Sequence, residues 1–87
     1  PDGDDICNGA IDNATGTAAL IGLARAHRDA GATARTQVFL AVTAEESGLL
    51  GAEHYAANPV FPLTHTVGGL NMDAMYPTGA ARDVVVI

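Results

Sequence analysis

Four acidic residues, Asp12, Glu45, Glu46 and Asp73, lie where the chain passes from one regular segment to the next, and their side chains suit metal ligation or proton transfer. Carboxylates brought together repel: two unit charges about 5 Å apart at an effective dielectric of about 20 cost roughly 3 kcal/mol. A protein relieves that by protonation, by a basic partner or by a cation. The basic residues here are Arg25, Arg28, Arg35 and Arg82, and there is no lysine. Two of them, Arg25 and Arg28, fall on the polar face expected of a helix, so a metal is the economical answer, and a carboxylate bridging two cations neutralises the cluster most completely. Each acid also has a plainer reading. Glu45-Glu46 ahead of a helix complement its dipole, Asp12 serves as an N-cap, and Asp73 is a turn residue.

The elements that would position these acids can be read from the pattern. Residues 1–11 are a polar loop. Asp12-Asn13 opens a helix running to about Ala30, since both side chains can accept from its first N–H groups, and Gly31 closes it. Leu20, Leu23, Ala24 and His27 share one face, while Arg25, Arg28 and Asp29 share the wet one. The uncharged first half, Ala14 to Ile21, is expected to be buried all round. Gln37 to Thr43 is continuously apolar, which fits a strand covered on both faces. A second helix is expected from about Leu49 to Ala57, closed by Asn58-Pro59. Strands at Thr66 to Met72 and Asp83 to Ile87 complete an α/β pattern. Strand, helix and strand at this spacing form a βαβ unit with a right-handed crossover. Its parallel strands then end on one sheet edge, the edge at which α/β proteins place ligands.

Composition narrows the function. Four basic against ten acidic residues give a net charge of −6, and nucleic-acid binding is not expected because phosphate contacts need clustered Lys and Arg. A single cysteine, Cys7, rules out an internal disulfide and a cysteine-based zinc knuckle. No apolar run reaches the roughly 18 residues of a membrane span. The chain of 87 residues is 48% hydrophobic and only 16% charged, which points to apolar surface meant for partners beyond it. Residues 1–87 are therefore expected to be a partial domain, with preceding and following parts of that domain absent from the chain.

Three segments carry a resemblance: Asn8-Gly9-Ala10-Ile11-Asp12-Asn13-Ala14-Thr15-Gly16, Ala44-Glu45-Glu46-Ser47-Gly48-Leu49-Leu50-Gly51 and Asn71-Met72-Asp73. Together, in this order and spacing, they resemble the central motifs of the co-catalytic two-zinc aminopeptidases of clan MH. That group includes the bacterial leucyl aminopeptidases and, more distantly, glutamate carboxypeptidase II and the glutaminyl cyclases. The resemblance implies a three-layer α/β/α zinc-exopeptidase fold (phosphorylase/hydrolase-like) with a mostly parallel central sheet. It implies that Asp12 bridges two zinc ions, that Glu46 ligates one and Asp73 the other, and that Glu45 is the general base. It also implies a peptide substrate, a secreted or periplasmic location and a cis peptide bond at Asp12-Asn13. Met75 and Tyr76 would border the substrate pocket.

The same resemblance calls for one histidine per zinc, upstream of Asp12 and far downstream of Asp73, at positions outside this chain. His27, His54 and His65 fall on helix or loop positions and are expected to be ordinary packed or surface residues. With two of three protein ligands per ion, counting Asp12 twice, the isolated chain is expected to bind zinc poorly and to be inactive. The expected activity of the whole protein is removal of an N-terminal residue from a peptide. Two other readings stand beside it: a related zinc enzyme of carboxypeptidase or glutaminyl cyclase type, and a receptor or interaction domain that has lost catalysis. Retention of Asp12, Glu45, Glu46 and Asp73 favours an enzyme.

Overall fold

Asn13 is the residue from which the first helix is built. In a computed structural model that describes residues 8–75 and 79–80, its Oδ1 accepts from the Gly16 N–H at 3.1 Å, and helix α1 spans Ala14–Ala30. The N–H groups that open a helix have no partner within it, and here the preceding turn supplies them. Ala14 N–H donates to the Gly9 carbonyl at 2.9 Å and Thr15 N–H to the Ile11 carbonyl at 3.2 Å. The alanine-rich sequence carries α1 through four turns and more, and Gly31 ends it, its N–H donating to the Arg28 carbonyl at 3.3 Å.

Helix α2 spans Leu50–Ala57. At two turns it is too short to stand on propensity alone, and it is held at both ends. Asn58 closes it with its backbone N–H on the His54 and Tyr55 carbonyls and its Nδ2 on the His54 carbonyl at 3.2 Å; Pro59 then bars continuation. A short 3₁₀ turn, Leu63–His65, follows, with the His65 N–H on the Pro62 carbonyl at 2.9 Å.

The expected sheet is not formed among the described residues. The segments 37–43 and 66–72 run without ladder hydrogen bonds between them, so neither the parallel pair nor the βαβ crossover is present. The third expected strand, 83–87, lies outside the described residues, as do Cys7, Tyr76 and Arg82. Parallel pairing is stable when helix layers cover both faces of the sheet, and these segments are open: Val67 is 74% exposed and Leu70 98%. Burial of the first half of α1 is likewise corrected. Of Ala14 to Ile21 only Gly16 is buried, and no hydrophobic side chain among the described residues is fully buried. Apolar faces are present, but nothing described covers them.

Candidate active site

Two glycines set how closely the acidic segments approach the helices. A Cβ at Gly16 would stand 2.9 Å from the Asp73 carbonyl oxygen and would collide with Asn13 Oδ1. The first turn of α1 therefore lies directly against the chain at Asp73. A Cβ at Gly51 would stand 2.6 Å from the Thr43 nitrogen and 3.0 Å from Val42 Cβ, so the first turn of α2 lies against the end of segment 37–43. Gly51 N–H donates to the Thr43 carbonyl at 3.0 Å. The sequence marks Gly16 and Gly51 as motif residues without revealing this role; glycine in a first helical turn, where it costs about 1 kcal/mol against alanine, is the signal that backbone must pass close by.

Between these contacts lies a cleft of about 230 Å³, lined by Asn13, Gly16, Leu40, Glu45, Leu49 and Asp73 among others. Glu45 and Asp73, about thirty residues apart in sequence, thus open onto one space. Asp12 adjoins a lining residue and Glu46 follows another. The Asp12-Asn13 peptide bond is cis, as the resemblance implies.

The turn from Ala44 to Leu49 carries the two glutamates and is wound by its own backbone. The Ala44 carbonyl accepts from Ser47 and Leu50 N–H, both at 3.3 Å, and the Glu45 carbonyl from Gly48 at 3.1 Å and Leu49 at 2.9 Å. Ala44 (φ 58°) and Leu49 (φ 60°) occupy the left-handed region without being glycine, a conformation costing roughly 1–2 kcal/mol per residue. Helix α2 has no side-chain cap. Its opening N–H groups go to the Ala44 and Thr43 carbonyls instead. The glutamates are therefore not its caps, and among the described residues neither carboxylate accepts a hydrogen bond or joins an ion pair.

The other acids behave alike in part. The helix cap is Asn13, so the Asp12 carboxylate is left unused by α1. Asp73 spends one oxygen on the N–H of Ala74 at 2.8 Å, as a turn residue does. No basic side chain relieves any of them among the described residues: Arg28 pairs with its neighbour Asp29 at 2.9 Å, and with Arg25 it lines a separate cleft beside Phe39. The histidines stand apart, as expected. The His27 ring lies 6.0 Å from that of Phe39, His54 is in α2 and His65 in the 3₁₀ turn.

Hard carboxylate oxygens without basic partners suit a divalent cation in kind. They fall short in number, because among the described residues no three His, Cys, Asp or Glu side chains gather so as to hold a metal ion, and a catalytic zinc takes three protein ligands. Met75, expected at the substrate pocket, is not among the residues lining this cleft; its N–H donates to Thr15 Oγ1 at 2.8 Å.

The model of peptidase family M28 matches residues 1–86. The chain belongs to peptidase family M28, a family of zinc peptidases, and its chemistry is that of a metal-dependent peptidase. No curated protein matches it, and no solved structure does. Among the described residues no helix is long and apolar enough to cross a membrane.

Proposed function

We propose that these residues are the catalytic core of an exopeptidase that removes the N-terminal residue of a peptide, working with two zinc ions. In this reading Asp12 would be shared between the ions, Glu46 would hold one and Asp73 the other, and a histidine from outside these residues would complete each. Zinc, when bound, supplies Lewis-acid polarisation of the scissile carbonyl and a water acidic enough to attack at neutral pH. Glu45 takes the proton of the attacking water and delivers it to the leaving amine. Met75 and Tyr76 are assigned to substrate contact in this reading. Asp12, Glu45, Glu46 and Asp73 belong to a larger domain whose remaining parts cover the apolar faces left open here.

The observation that carries this reading is the glutamate turn. Its shape is maintained by backbone hydrogen bonds and by two non-glycine residues at positive φ, while both carboxylates remain unbonded among the described residues and Glu45 lines a cleft shared with Asp73. Strain persists where surrounding structure over-determines it, and such sites concentrate where chemistry is done. A surface acid pair kept only for a helix dipole needs no such turn.

The test is made on the full-length protein. Hydrolysis of an aminoacyl chromogenic amide is expected to vanish with a chelator and return with zinc. Glu45→Gln is expected to lower turnover by at least about 100-fold while metal content stays near that of the parent. Glu46→Gln is expected to lose metal. If Glu45→Gln loses the metal and Glu46→Gln keeps it, the two roles are reversed; if neither changes activity, the peptidase assignment of this turn is wrong.

A further inference from the structure

We infer that Thr15 is a positioning residue that pins the Asp12 turn to the Asp73 segment through its hydroxyl. Thr15 Oγ1 donates to the Ile11 carbonyl at 2.6 Å and accepts from the Met75 N–H at 2.8 Å. The first bond is the ordinary back-bond of a helical threonine to the carbonyl four residues earlier. The second is not local: it spans 60 positions of sequence. One oxygen thus ties the residue before Asp12 to the residue two beyond Asp73. Gly16, the next residue, brings the Asp73 carbonyl against the same turn of α1, so approach is set by the glycine and register by the hydroxyl. Among the described residues this is the one side-chain hydrogen bond between the three acidic segments.

A hydroxyl suits the task because it donates and accepts at once. Valine has the same shape and can do neither. Serine can do both but lacks the methyl group. The inference rests on the peptidase reading for its activity measurement and is independent of it for its exchange measurement.

The experiment compares Thr15→Val and Thr15→Ser in the full-length protein, with hydrogen exchange at the Met75 amide and peptidase kinetics as readouts. In T15V the Met75 amide is expected to lose its protection, and kcat to fall about 10- to 100-fold, as a misplacement of about 1 Å can cost, with KM little changed. T15S is expected to keep both near the parent. Should T15V not fold, Thr15→Ala replaces it, since alanine also lacks the hydroxyl and favours helix. Unchanged protection in the hydroxyl-free variant overturns the pin, and so does equal impairment of T15S, which would assign the effect to the methyl group. If the parent hydrolyses no peptide, the peptidase reading fails by itself. The exchange comparison then decides the role of Thr15: protection kept in T15S and lost in T15V sustains it, and equal protection in both removes it.

Discussion

Gly16 and Gly22 lie on the same helix, yet substitution should move them in opposite directions. At Gly22 an added Cβ meets open space, so Gly22→Ala is expected to stabilise the protein by up to about 1 kcal/mol through helix propensity. At Gly16 the same methyl collides with Asn13 Oδ1 and stands 2.9 Å from the Asp73 carbonyl. The propensity gain is then outweighed by displaced backbone, and Gly16→Ala is expected to cost about 1–3 kcal/mol. Denaturant midpoints of the two variants decide it. Equal shifts of the same sign would mean that α1 does not rest against Asp73.

At the scale of the element, the beginning of α1 separates two adjacent residues that the sequence presents as equivalent. Asn13 provides the cap, and Asn13→Ala is expected to cost about 1 kcal/mol, read as a lower melting temperature. Asp12→Asn removes no bond from the helix and is expected to leave helicity and melting temperature near the parent while impairing metal binding. Helix limits were legible because they are marked by particular residues: Asn13 and Gly31 around α1, Asn58-Pro59 after α2. The start of α2 was less so. Leu49 adopts a left-handed conformation without the glycine or asparagine that usually signals it, and its cap is made from the Thr43 and Ala44 carbonyls, which any residue possesses. The acids of the site could be picked out as types and as motifs, but which of them the local structure already uses could not. Asp12 and Asn13 have nearly the same capping propensity, and only the geometry of the turn chooses between them.

For the molecule as a whole, apolar pattern and apolar burial part company. Segments 37–43 and 66–72 have the composition of buried parallel strands, yet a strand is completed by neighbours on either side and by helices above and below. Those contacts are not a property of the segment's own residues, and periodicity cannot supply them. With no hydrophobic side chain fully buried among the described residues, residues 1–87 produced by themselves are expected to bind a hydrophobic dye and to unfold gradually, as states lacking fixed packing do. A sharp calorimetric transition for that chain, without added partner, would show that a core exists which these contacts do not contain. Its affinity for zinc is also expected to be weak, since among the described residues no three His, Cys, Asp or Glu side chains gather so as to hold a metal ion.

The glutamate turn keeps its architecture and its proposed reactivity on separate atoms. Main-chain groups alone give the loop its contour, so the two acids project from a frame that does not depend on them. Exchange of either acid should therefore alter what the loop accomplishes without unravelling it. Evolution could silence or retune the chemistry proposed here by a single replacement and still inherit an intact scaffold.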